Sequence, residues 1–167
     1  MRWRVYLNAN IHRISPFLWF DKQAENAANF YVSVFKNSKV NKITHYSEAG
    51  PGPKGSVMTV SFELDGQGFV ALNGGTRSEF TESISFMVNC NTQQEVDEYW
   101  EKLSAGGGQE IQCGWLKDKY GVSWQVTPTA LMEMIGDPDP KKVKRVMETM
   151  FQMKKIDIEK LEQAYVQ

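Results

Sequence analysis

Histidine is scarce in this chain, with only His12 and His45 among 167 residues. Cysteine is equally scarce: Cys90 and Cys113 stand far apart and form no CxxC motif. That shortage excludes a disulfide scaffold and suits a reducing cytoplasm. Long hydrophobic runs are missing too. Residues 1–13 carry arginines at 2, 4 and 13, and their apolar run is too short and interrupted for a signal peptide core or a membrane span. They read as an N-terminal extension, either an edge strand with Trp3, Val5 and Leu7 on one face or a loose leader. Charge of one sign is also lacking. Nineteen Lys and Arg against twenty Asp and Glu give a net charge of −1, which offers nucleic acid or an anionic membrane no global attraction. A cytoplasmic protein is the expectation.

What is present argues for a folded globule. Hydrophobic content is 41%, with five Trp, nine Phe and six Tyr, and the length suits one domain with a genuine core. Ile14 to Phe20 reads as a strand. Asp21 is placed to cap a helix running to about Phe35, with Ala27, Phe30, Tyr31, Val34 and Phe35 on one face. Val40 to Ser47 is a strand, followed by the Gly/Pro loop 50–55. Ser56 to Leu64 and Gln67 to Asn73 then flank Asp65-Gly66, a strong hairpin signal. The order restarts with an alternating strand over Ser83 to Asn89. Thr92-Gln-Gln-Glu95 is a capping box for a helix burying Val96, Tyr99, Trp100 and Leu103. Gly106 to Gly108 ends it, and Gln109 to Lys117 pairs with Val122 to Thr127.

Strand, helix and strands thus occur twice, as modules of about 14–75 and 83–128. Residues 129–167 change character. Pro128 to Ile135 reads as a short helix ended by Gly136. Asp139-Pro140 opens a second, with Val143, Val146, Met147, Met150 and Phe151 inward. Asp157 caps a third, stapled by Ile156 and Leu161. This Met-rich tail is a packing or dimer element.

The most telling stretch is Cys113-Gly-Trp…Asp118…Gly121…Ser123-Trp-Gln-Val126. Together with Phe17-Leu-Trp-Phe-Asp21, Phe30-Tyr-Val-Ser-Val-Phe35 and the repeated element order, it resembles the PhnB-like branch of the glyoxalase/bleomycin-resistance (vicinal oxygen chelate) superfamily. Members of that branch have often been labelled 3-demethylubiquinone 3-methyltransferase-like. The resemblance covers roughly residues 14–128. It implies an α+β fold of two βαβββ modules forming a cupped mixed sheet, with the C-terminal helices added. It also implies a small-molecule site in the cup and a homodimer.

In metal-dependent members the ligands come from the first and last strand of each module. By strand phase those positions fall on Ser15, Ala71, Ser83 and Gln125. A methyl, two hydroxyls and an amide are poor ligands where divalent metals want imidazole, thiolate or carboxylate. Neither a metal nor another cofactor is expected. The superfamily's lyase, isomerase and dioxygenase chemistry, which works through metal-stabilised oxyanions, is therefore not implied.

The same phase turns Ser15, Phe17, Trp19, Phe69, Asn73, Ser83, Ser85, Met87 and Gln125 toward the cup, with Ser123 and Thr127. It turns Leu18, Phe20, Val70, Leu72, Ile84, Phe86, Val88, Trp124 and Val126 beneath the helices. Apolar area with a few neutral polar groups suits binding of a small organic ligand; the plainer alternative is that Phe17, Trp19 and Met87 fill a core or a dimer interface.

Other chemistry finds little support. No nucleophile elbow, P-loop, dinucleotide fingerprint or glycine turn for S-adenosylmethionine occurs. Cys113 lacks a basic neighbour in sequence. His45 with Glu48 is a surface pair that could serve as a base or hold a metal. Lys141, Lys142, Lys144, Arg145, Lys154 and Lys155 read as the solvated face of amphipathic helices rather than a nucleic-acid surface. Three functions therefore stand open: a metal-free small-molecule binder, an enzyme of the same superfamily including the methyltransferase of its label, and a regulatory module acting through the basic tail.

Overall fold

Asp65 and Gly66 both take positive φ, 44° and 82°. This is the two-residue turn whose twist matches antiparallel strands, and it fixes the register of the first hairpin. Around it the computed structural model, which describes residues 13–75 and 79–167, builds a first unit. Strand β1 (Phe17–Phe20) leads to helix α1 (Ala24–Val34), then β2 (Lys39–His45), β3 (Val57–Leu64) and β4 (Gln67–Asn73). The sheet order is β1-β4-β3-β2, with β1 parallel to β4 and the other pairs antiparallel. The proposed strand over Trp3 to Leu7 lies outside the described residues.

One face of this sheet is sealed by α1, whose buried stripe is Ala24, Ala27, Ala28, Tyr31 and Val34. Small residues at the first turns let the helix approach closely. Tyr31 then stacks on Phe62 at 6.1 Å and Phe62 on Phe69 at 5.4 Å between ring centroids. Leu18, Phe20, Val60, Leu64 and Ala71 complete that core. Each large side chain so buried stabilises by about 1.5–3 kcal/mol. The helix starts three residues later than Asp21. Its first turn is capped by a distant strand residue: the Asn73 side-chain oxygen accepts from Ala24 N–H at 2.8 Å.

The second unit repeats the order: β5 (Phe86–Cys90), α2 (Gln93–Ser104), β6 (Gln109–Glu110), β7 (Trp115–Lys117) and β8 (Ser123–Pro128). Its sheet runs β5-β8-β7-β6 with β5 parallel to β8. Thr92 caps α2 by accepting from Glu95 N–H at 3.2 Å, while the Glu95 carboxylate accepts from Asn91 N–H. Val96, Trp100 and Leu103 are buried, and Tyr99 only partly so.

Three further helices belong to this same unit: α3 (Thr129–Ile135), α4 (Pro140–Met150) and α5 (Ile158–Val166). Asp139 and Asp157 cap α4 and α5. Ile156 and Leu161 are fully buried, in the core that Leu131, Met134, Val146 and Met153 share. Two expectations need correction here. Phe151 is exposed rather than inward, because α4 ends at Met150 and the chain turns there. The proposed continuous strand Gln109–Lys117 breaks at Cys113-Gly114, both with positive φ (61° and 80°). Their N–H groups leave the sheet and donate to Met153 and Lys154 carbonyls at 2.8 and 2.7 Å. The tail is thereby stitched to the sheet by backbone.

Candidate functional site

In each unit one sheet face packs against a helix, α1 in the first and α2 in the second, and the strands' period of two decides what stands on the opposite face. In the first unit Phe17 and Trp19 point to that face, 56% and 45% exposed, while Leu18 and Phe20 point into the core. The sequence phase of β1 therefore holds. That of β4 does not. Leu18 pairs with Ala71, and Trp19 with Leu72, so Phe69 and Ala71 lie in the core beside α1 and are buried. Val70 and Leu72, not Phe69 and Asn73, share the open face with Phe17 and Trp19. Asn73 is a structural hub instead: besides capping α1, its amide donates to Val57 O at 3.0 Å. Both alternating sets of β4 are apolar, so the sequence held no signal to choose between them. Only pairing with β1 does.

Ser15 is exposed and precedes β1, which begins at Phe17 rather than Ile14. The Trp19 indole N–H donates to Gly75 O at 3.0 Å, which fixes the ring at the sheet's end. The face continues across β3 and β2 with Ser61 and Thr59, the latter sharing a 2.6 Å hydrogen bond with Thr44.

In the second unit β5 and β8 keep the expected phase. Met87 is 47% exposed and pairs in register with Gln125 on the open face, while Val88 and Val126 are buried below. The Gln125 amide donates to Ser85 Oγ at 2.7 Å, so those two predicted residues do meet. Ser123, two residues along, is buried, and its hydroxyl has no hydrogen-bond partner among the described residues. Ser83 and Ile84 depart from expectation. Both precede β5 in a turn, and Ile84 is 75% exposed rather than beneath a helix. Trp115 and Lys117, opposite Gln125 and Ser123 in register, join this face and were missed. Their signal was the same alternation, read from β7.

The residues at the superfamily's metal positions do not fit a divalent cation. With β4 in its observed phase the first-unit position falls on Val70 or Leu72 rather than Ala71. These are hydrocarbon, and the other three positions supply only the hydroxyls of Ser15 and Ser83 and the amide of Gln125. Among the described residues no three His, Cys, Asp or Glu side chains gather closely enough to hold a metal ion. His45 is exposed, and the Glu48 carboxylate is engaged with Lys54 at 2.5 Å. Burial, together with the nearby Glu95 carboxylate, pushes the Cys90 thiol up to about 12, and burial raises Cys113 as well. Neither is an activated nucleophile.

Most of the tail's cations are occupied locally: Lys142 with Asp137, Lys144 with Glu148 and Lys155 with Asp97. Arg145 donates to Ala164 and Tyr165 carbonyls at the end of α5. No helix among the described residues is long and apolar enough to cross a membrane.

Two four-stranded mixed sheets, each built as βαβββ with its first and last strands parallel, define the glyoxalase/bleomycin-resistance fold. The family model described as 3-demethylubiquinone-9 3-methyltransferase matches residues 12–127, and the chain belongs to that PhnB-type family. Among solved structures it is similar to a PhnB protein from Bacillus cereus at 38% identity, covering 71% of this chain and all of that one, with a TM-score of 0.64. A Pseudomonas aeruginosa protein at 19% identity shares the fold, with 70% and 97% of the two chains covered and a TM-score of 0.58. So does the genomically encoded fosfomycin resistance protein FosX from Listeria monocytogenes, at 17% identity, 73% and 96% coverage and a TM-score of 0.50. No curated protein matches the chain.

Proposed function

We propose that this protein binds a small organic molecule, without a metal, on the sheet face opposite the helix in each of its two units, and that it does so as a cytoplasmic homodimer. The observation that carries this reading is the pair Phe17 and Trp19. Two large aromatic side chains stand half-exposed on a sheet face with Val70 and Leu72 between strands. Apolar area of that kind, left in water by a folded domain, marks a place where something binds. The second unit carries on its own sheet face the Gln125 amide, bonded to the Ser85 hydroxyl, with the half-exposed Met87 alongside. Neutral donors and acceptors beside apolar walls orient an uncharged or weakly polar ligand.

Binding or sequestration asks for nothing more. Turnover asks for an acid, a base, a nucleophile or a metal, and the faces described offer none in an activated state. The test is a thermal-shift screen of small aromatic and heterocyclic compounds, followed by titration of each hit against Trp19→Ala and Gln125→Ala. Both variants are expected to fold, Trp19→Ala weakening hits held by the first unit's sheet face and Gln125→Ala those held by the second's. Hits that bind both variants unchanged remove the sheet faces as the site. Elemental analysis of purified protein bears on the metal: stoichiometric zinc, nickel, manganese or iron sinks the metal-free reading.

A further inference from the structure

The Gly/Pro loop between β2 and β3 has no place in the sheet-face reading, yet it is built with care. Its ends are pinned by hydrogen bonds from Tyr46 N–H to Ser56 O and from Gly55 N–H to Tyr46 O, both 2.9 Å. The Tyr46 hydroxyl donates to Asn73 O at 2.5 Å, tying the loop to the end of β4. Gly50 and Gly52 close on opposite edges of the Tyr46 ring. A Cβ at either would come within 2.6 or 2.4 Å of ring carbons. The loop is thus held as a wall around a buried tyrosine.

Behind that wall, wholly within the first unit, lies a cavity of about 360 Å³. That size falls in the range of small-ligand sites. Pro51, Pro53, Val57 and Gly74 give it apolar lining, and Asp21 and Lys22 line it as well. None of the open-face residues Phe17, Trp19, Val70 or Leu72 lines it. The charged lining is the unusual part. Asp21 is half-buried, but its carboxylate makes no hydrogen bond or ion pair with any described residue, and neither does the Lys22 ammonium. Two opposite charges sit side by side in sequence along an apolar cavity, engaged neither with each other nor with any described residue. The arrangement complements a ligand carrying both signs at one end and hydrocarbon at the other.

We infer that this cavity is a second, separate site for a small zwitterion with an apolar body, of the α-amino-acid class. The ligand's ammonium meets Asp21, its carboxylate meets Lys22, and its side chain enters between Pro53 and Val57.

Titration calorimetry on the full chain with L-phenylalanine, L-phenylalaninamide and 3-phenylpropionate tests this directly. Phenylalanine is expected to bind, and each analogue, lacking one charge, at least about tenfold more weakly, the loss of one charge-assisted hydrogen bond. Asp21→Asn should weaken phenylalanine by a similar factor and leave 3-phenylpropionate unchanged. Lys22→Met should weaken phenylalanine and leave the amide unchanged. Neither side chain has a partner to lose, so both variants should keep the wild-type melting temperature. Absence of binding by phenylalanine, equal binding of all three compounds, or indifference to both substitutions overturns the inference. So does loss of binding in Trp19→Ala with Asp21→Asn unaffected, since that places the ligand on the open sheet face.

Discussion

At the scale of single residues, two polar side chains carry more of the fold than their types suggest. Asp118 looks like a turn former. It is buried, with Oδ1 accepting from Tyr120 and Val122 N–H at 2.8 and 3.1 Å and Oδ2 accepting from the Trp124 indole at 2.8 Å. One carboxylate thereby organises the β7–β8 turn and positions the strand's buried tryptophan. Removing it strands three donors, so Asp118→Ala should cost about 2–4 kcal/mol in urea unfolding. Asp118→Asn, which keeps the Oδ1 acceptor, should cost less. Equal stability of wild type and Asp118→Ala would refute the role.

Trp124 itself is buried against Phe86, with ring centroids 5.4 Å apart, and Trp124→Ala should cost about 3–5 kcal/mol. Gln125→Ala, one residue on but facing out, should be nearly neutral. A loss for Gln125→Ala matching that for Trp124→Ala would mean the strand is turned over. The other polar residue is Asn73. Sequence reading puts its amide on the open face; it joins α1, β3 and β4 instead.

At the scale of elements, the C-terminal helices are held to the second unit by specific joints rather than by packing alone. Gln93 on α2 is one. Its side chain accepts from Ile158 N–H and donates to Ile156 O, at 2.9 and 3.1 Å. Gly114 is another. It has φ +80°, its carbonyl accepts from Val126 N–H, and an added Cβ would lie 2.8 Å from Val126 O. Gly114→Ala should therefore destabilise by more than about 1 kcal/mol, with the tail becoming protease-sensitive first.

Carboxylates act both across that junction, as Asp97 does with Lys155, and within the tail. Asp97 is held below its ordinary 3.8 mainly by the hydrogen bond from Lys155. Asp137 is held below it mainly by the Tyr165 hydroxyl, and Asp157 mainly by Lys160 N–H. A depressed folded-state value adds stability above the unfolded value, and that stability is lost as pH falls through the lower one. The tail should loosen only below about pH 4. The triple variant Asp97→Asn, Asp137→Asn, Asp157→Asn should show a flatter acid limb in pH-dependent unfolding, and an unchanged slope would place the acid sensitivity elsewhere.

At the scale of the whole molecule, near-zero net charge and a locally neutralised tail argue together. With Lys142, Lys144, Arg145 and Lys155 already engaged, little is left to release counterions from a polyanion. The protein should not retard duplex DNA in a low-salt gel, and a salt-sensitive shift would revive the regulatory reading. Cys90 offers a probe of the second unit's integrity. Its thiol is fully buried and raised to about 12. Alkylation at pH 8 should therefore stay slow until urea opens the unit, and fast labelling of native protein would show the β5 core to be loose.

The sequence by itself determined what neighbours along the chain can decide. The Asp65-Gly66 turn, the Thr92, Asp139 and Asp157 caps, the Ile156–Leu161 staple and the apolar alternation of β8 each rest on interactions spanning a few residues. Their chemistry admits one local solution. Tertiary structure decided the rest: which way β4 faces, where α1 begins, and where β6 gives way to the tail. β4 carries hydrocarbon on both sides, and Leu18 opposite Ala71 settles its phase from more than fifty residues away. The cap of α1 comes from Asn73 and the partner of Gly114 from Lys154, so no window of sequence contains either pair.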